Sequence, residues 1–155
     1  DRVELYQNQG RAAPISEVVT RAIKVKAAVV SEDFTEQGRR AILNYGHTIG
    51  HAIEYVAKIP HGHAVAIGMV AAGAASALVA GFRNEAEQRE LLATLKLPIL
   101  SPPVARDAIE AAMALDKKRD STGLRMVLLE AFGKPIVTAV DPTTVRAALR
   151  AVGIE

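Results

Sequence analysis

Apolar residues recur along most of this chain at helical spacing, and the period changes once, near the C-terminus. Val18, Ala22, Val25 and Val29 recur at intervals of three and four, and Val19, Ile23 and Val30 at intervals of four and seven. That spacing predicts a helix from Glu17 to about Ser31, with Ser16 as its N-cap. Asp33-Phe-Thr-Glu36 has the spacing of a capping box, with Asp in place of Ser or Thr, and predicts a second helix running to about Lys58. Pro60 and Gly62 break the chain between Lys58 and His63, and a third helix is predicted to end near Gly81. Glu85 to about Lys96 is amphipathic through Leu91, Leu92 and Leu95, and a further helix follows the Pro98, Pro102 and Pro103 bend from about Val104 to Leu115. Arg125–Glu130 and Pro135–Val140 then read as two short strands joined across Ala131–Lys134. Asp141-Pro-Thr-Thr144 opens a terminal helix containing Val145, Leu149 and Val152. The expected fold is mainly α, a multi-helix domain with one short β-hairpin near the C-terminus.

The third helix raises a question of solvent. Ala64 to Phe82 carries no formal charge and approaches the length of a membrane span. Its composition, largely Ala and Gly with Ser76, would drive transfer into lipid only weakly, and a helix buried on all sides is expected instead. Half of the 155 residues are hydrophobic and only 4% are aromatic, which favours closely packed helices over an aromatic-rich sandwich. The 19 basic and 17 acidic residues are dispersed, so neither a nucleic-acid partner nor a membrane surface is expected. With no cysteine, disulfides and thiolate metal sites are excluded. The N-terminus, Asp1-Arg-Val-Glu-Leu-Tyr6, reads as neither a signal nor a transit peptide, and a cytoplasmic location is expected. It lacks an initiator methionine, which suggests a processed chain or a fragment.

The second predicted helix carries the chemistry. At about 100° per residue, Arg40, Asn44, His47, His51 and Glu54 fall within an arc of about 80°, and Glu36 joins them if the helix extends that far back. Ala41, Ile42, Leu43, Ile49, Ala52, Ile53 and Val56 fill much of the remaining circumference. Burying such a polar seam without partners is unfavourable by several kcal/mol, so it should line water, a ligand or a partner. Gly46 and Gly50 beside it would admit a neighbouring backbone closely. His47-x-x-x-His51 sets two imidazoles on one face, a spacing that suits a metal ion, and His61 follows on the next turn. Thr48 stands where a zincin needs Glu, which disfavours metalloprotease chemistry.

These residues also form longer motifs. Asn44-Tyr-Gly-His-Thr-Ile-Gly-His-Ala-Ile-Glu54, followed by His61-Gly-His-Ala-Val-Ala-Ile-Gly-Met69, resembles the signature of the 3-dehydroquinate synthase family. Ile23-Lys-Val-Lys-Ala-Ala-Val-Val-Ser-Glu-Asp33 is similar to the helix before that signature, and Ala114-Leu-Asp-Lys-Lys118 to a late lysine motif. The similarity runs in order over nearly the whole chain.

The resemblance implies a lyase of the shikimate pathway, working towards chorismate and the aromatic amino acids. Such an enzyme cyclises 3-deoxy-D-arabino-heptulosonate 7-phosphate to 3-dehydroquinate with loss of phosphate, using NAD and a divalent cation, zinc or cobalt. It further implies His47 and His61 as metal ligands, Lys26 near the substrate hydroxyl and Arg40 at the substrate carboxylate. Asn44, His51 and Lys117 would surround the phosphate, and Glu36 would be a pocket acid, with Lys26, Glu36 and His51 the catalytic candidates. Spacing alone offers His51 as a third ligand; the resemblance makes it a substrate-side group, and that assignment is preferred. The family's third ligand is a glutamate upstream of the Lys26 helix, outside this chain, so that water, Glu54 or His63 would complete the shell. His63 itself stands where the family commonly has Glu. No Gly-rich strand–turn–helix fingerprint occurs, which places the NAD-binding domain outside this chain and makes residues 1–155 a single metal- and substrate-binding domain. The isolated chain is therefore expected to be inactive, and the full-length enzyme to be a homodimer acting on a small sugar-acid phosphate.

Three alternatives remain. Another sugar-phosphate cyclase, such as 2-deoxy-scyllo-inosose synthase, would share fold, NAD and metal, but Arg40 favours a carboxylate-bearing substrate. A glycerol dehydrogenase-like enzyme is disfavoured by the Lys-Val-Lys and Asp-Lys-Lys elements. A non-catalytic helical interaction module would use the Ala/Gly-rich helix as its interface.

Overall fold

The computed structural model describes residues 15–34, 38–115 and 124–155. The chain divides after Leu43 into two compact units. In the first, helix α1 spans Ile15–Glu32. Ile15 is already helical, so Ser16 lies inside the helix and not at its cap; its carbonyl accepts from Thr20 Oγ1 at 2.6 Å. Val29 is buried, whereas Val18, Val19, Ile23 and Val25 are exposed.

The long second helix predicted from about Asp33 to Lys58 does not form as one piece. A 3-10 helix spans Arg39–Asn44, and α2 begins only at His47 and runs to Ala57. Asp33 does cap: its Oδ2 accepts from the amides of Gly38 at 2.8 Å and Arg40 at 2.9 Å. Glu36, the other half of the expected box, lies outside the described residues. Gly46 causes the interruption. Its φ of 80° is left-handed, a conformation that glycine adopts without penalty, and it is the residue from which α2 starts. The helical register therefore does not carry through from Arg40 and Asn44 to His47, and the single polar seam reduces to His47, His51 and Glu54 on α2.

The second unit contains the core. α3 spans His61–Val79, starting at His61 rather than Ala64, followed by α4 at Glu85–Thr94 and α5 at Arg106–Leu115. β1 at Leu124–Ala131 and β2 at Lys134–Val140 form an antiparallel hairpin, with Leu128 opposite Ile136, and α6 at Pro142–Ala151 completes the unit. Gly133, at φ 75°, turns the hairpin. α3 is the hub, packing against α2, α4, α6 and β1. It is long and apolar enough to cross a membrane by length and composition. Here it is a core helix: an unbroken run from Val70 to Ser76 is buried. Ile49 and Ile53 of α2, Ile67 of α3, Ile109 of α5, Leu128 of β1 and Leu149 of α6 are all fully buried around it.

Two polar devices hold this packing. Ser76, fully buried, donates to the Ala72 carbonyl at 2.6 Å and accepts from the Leu129 amide at 2.9 Å, which joins α3 to β1. Asp141 caps α6 as expected, its Oδ1 accepting from the Thr143 and Thr144 amides at 2.8 and 3.0 Å. A hydrogen bond from the Thr144 hydroxyl, with those two from the amides, holds its carboxyl below the usual carboxylate range.

Candidate metal centre

The site grows out of the crossing of α2 and α3. Gly46, Gly50 and Gly68 bring the two backbones together: a Cβ on Gly50 would lie 3.1 Å from both the Ala64 carbonyl oxygen and Val65 Cα. A side chain at any of these three positions would push the helices apart. The close approach of a backbone expected at Gly46 and Gly50 is thus present, and the approaching segment is α3.

Three imidazoles converge beside this crossing. His47 and His51 stand one turn apart on α2, and His61 is the first residue of α3. Their ring centroids are 5.2 Å apart for His47 and His51, 5.5 Å for His47 and His61, and 5.7 Å for His51 and His61. One nitrogen from each ring lies within 4.8 Å of the others. Tetrahedral zinc at its usual nitrogen distance separates its ligands by about 3.4 Å, so the three rings would have to draw closer to share a cation. Neutral imidazole nitrogens suit zinc or cobalt, and the donor set fits such an ion.

The hydrogen bonds behind the rings differ. His47 Nδ1 lies 3.2 Å from the carbonyl oxygen of Tyr45, and His61 Nδ1 lies 2.8 Å from Glu54 Oε2. Tyr45 is itself anchored: its hydroxyl donates to Gln88 Oε1 at 2.8 Å, and Gln88 Nε2 donates to the Met69 carbonyl at 2.7 Å. Burial pushes the Tyr45 phenol up to about 12, so it remains a donor in this network. The sequence reading missed both the Tyr45–Gln88 anchor and the Glu54–His61 pair. The first joins a residue of the turn before α2 to one on α4 and left no local signal; the second was foreshadowed by Glu54 sharing a face with His51. His51 also lines an open cleft of about 390 Å³ between α2 and α5, with Ala52, Tyr55, Ala112 and Leu115.

The other expected site residues belong to other stretches of the chain. Asn44 is exposed where the second unit begins. Lys26, exposed on α1, and Arg40, half-buried with its Nη1 donating to the Phe34 carbonyl, belong to the first unit. Glu36 and Lys117 lie outside the described residues. His63 is exposed on the first turn of α3. The described strands form only an antiparallel hairpin, which supplies no cradle for NAD.

Known proteins share this architecture. The chain is 43% identical over 132 residues to 3-dehydroquinate synthase of Leifsonia xyli subsp. xyli, a match covering 83% of this chain and 37% of that protein. It is 42% identical over 128 residues to 3-dehydroquinate synthase of Geobacter metallireducens, covering 77% and 34%. It therefore spans little more than a third of the length of these relatives. Among solved structures, 2-deoxy-scyllo-inosose synthase complexed with carbaglucose-6-phosphate, NAD+ and Co2+ superposes with a TM-score of 0.67 at 34% identity, covering 83% of this chain and 39% of that one. The 2-epi-5-epi-valiolone synthase of Streptomyces hygroscopicus subsp. jinggangensis, solved with NAD+ and Zn2+ bound, gives 0.76 over 97% of this chain and 43% of its own; at 23% identity this likeness shows the fold alone. Residues 2–119 match the family described as 3-dehydroquinate synthase C-terminal. With that match and more than 40% identity to its named members, the chain belongs to the 3-dehydroquinate synthase C-terminal family.

Proposed function

We propose that this chain is the metal- and substrate-binding portion of a 3-dehydroquinate synthase, cyclising 3-deoxy-D-arabino-heptulosonate 7-phosphate with phosphate elimination. The observation that carries the reading is the convergence of His47, His51 and His61 within a chain of this family. His47 and His61 hold the divalent cation. When bound, that cation supplies Lewis-acid polarisation of the substrate's hydroxyl and carbonyl oxygens. His51, which also lines the open cleft, faces the substrate with Asn44 and Lys117 around the phosphate. Arg40 binds the substrate carboxylate through its planar fork, Lys26 approaches the reacting hydroxyl, and Glu36 completes the pocket. NAD is held outside the described residues, and the isolated chain has no cyclase activity.

The likeness to 2-deoxy-scyllo-inosose synthase favours a second reading, a cyclase acting on a neutral sugar phosphate. Arg40 supports the first reading, because its planar fork suits a substrate carboxylate. Turnover of the keto-acid phosphate and of glucose 6-phosphate by the full-length protein tests the choice. Dehydroquinate is the expected product, formed only from the former; preference for glucose 6-phosphate, or dehydroquinate formation by the isolated 155-residue chain, would overturn the corresponding claim.

A further inference from the structure

Glu54 has no part in the function proposed above, yet it touches one of the imidazoles directly. Its Oε2 lies 2.8 Å from His61 Nδ1. An ionised carboxylate oxygen can only accept, so Nδ1 is the donor in this contact, and the neutral ring that makes it has its lone pair on Nε2. His47 reaches the same state by another route, since its Nδ1 faces a backbone carbonyl, also an obligate acceptor. Two of the three clustered rings thus have Nδ1 committed away from the cluster, one to a carbonyl and one to a carboxylate. These are the partners that stand behind metal-bound histidines, where they fix the tautomer and aim the free nitrogen.

We infer that Glu54 is a positioning residue for the metal centre: it sets the tautomer and direction of the His61 ring so that Nε2 meets the cation. This rests on the proposed role of His47 and His61 as metal ligands. Two features bear on how far the contact can orient the ring. Both of its ends are fixed by backbone, Glu54 in the last turn of α2, where its carbonyl accepts from the amide of the capping residue Lys58, and His61 at the first position of α3. The His61 side chain is also 55% exposed, so packing does little to hold its ring and the hydrogen bond must do so.

The test uses the chain itself with Glu54→Ala and Glu54→Gln. Long-range proton–nitrogen NMR spectra of the metal-free protein report the His61 tautomer, and competition with a chromophoric chelator reports the affinity for zinc alone. The wild-type ring is expected in the Nδ1–H form. In E54A it shifts towards the Nε2–H form, and zinc affinity falls about 10- to 100-fold. E54Q, whose Oε1 still accepts, keeps most of the Nδ1–H form and falls between the two; it also carries the test if E54A fails to fold. An unchanged His61 tautomer in E54A, or zinc affinity within about twofold of wild type, overturns the inference. His47→Ala and His61→Ala separate the two failures. If they abolish zinc binding while E54A does not, the metal reading stands and the role of Glu54 falls. If neither changes zinc binding, the metal centre falls and the role of Glu54 with it.

Discussion

Gly46 and Gly68 meet backbone to backbone: a Cβ built on Gly68 would overlap the carbonyl oxygen of Gly46 and stand 2.8 Å from the amide nitrogen of Gly50. Those two atoms are already engaged with each other in a 2.9 Å hydrogen bond, so neither can yield without moving α2. Gly68→Ala is expected to destabilise the protein by about 3 kcal/mol or more, at the upper end of overpacking effects. Gly62→Ala is the control, because nothing lies within 4 Å of a Cβ there and α3 gains a better helix former. Urea unfolding should show a lower midpoint for the first and an equal or higher one for the second.

Ser76 gives a second prediction. Alanine leaves almost no cavity there, but it strands the buried Leu129 amide, whose hydrogen bond to Ser76 Oγ is 2.9 Å. Ser76→Ala should lower stability by about 1–3 kcal/mol, the penalty for an unsatisfied buried donor. A calorimetric melt indistinguishable from wild type would show that the amide finds another partner.

Asp141 makes stability depend on pH. Its folded pKa lies below its ordinary value of 3.8 because the Thr144 hydroxyl and the Thr143 and Thr144 amides favour the charged form. That contribution is present in full above the ordinary value and is lost as the pH falls through the depressed folded one. Asn at the same position can still cap but cannot titrate. Between about pH 6 and pH 2, melting temperature should therefore fall less steeply for Asp141→Asn than for wild type, and parallel curves would remove this carboxylate from the acid response.

His51 separates two assignments. If it faces substrate, His51→Ala keeps zinc affinity near wild type and lowers kcat/KM of the full-length enzyme by about 10²- to 10⁴-fold, as loss of a general acid–base group does. If it is a ligand, zinc affinity falls together with activity. Zinc titration of the 155-residue chain and steady-state kinetics of the full-length protein distinguish these outcomes.

The helices, the hairpin and the Asp141 cap were legible because each depends on short-range periodicity or on one capping residue. The imidazole cluster was legible in part: His47 and His51 share a face by spacing, and the turn after Lys58 is short enough to return His61 beside them. What failed was continuity. A period of 3.6 extrapolates straight through Gly46, whereas the left-handed backbone there is set by contact with α3, to which local spacing is blind. Gly68 was unread for the same reason, since a glycine in a helix signals close approach only once its neighbour is known. The Ser16 cap failed because a preferred N-cap residue marks the start of a helix only if no residue before it is already helical.

The glycine crossing also bears on how the centre behaves when the protein moves. His47, His51 and His61 all come from one continuous helix–turn–helix stretch whose spacing is fixed by main chain against main chain. Such a stretch travels as a rigid body. Motions elsewhere in the protein can therefore leave the distances among the three rings unchanged.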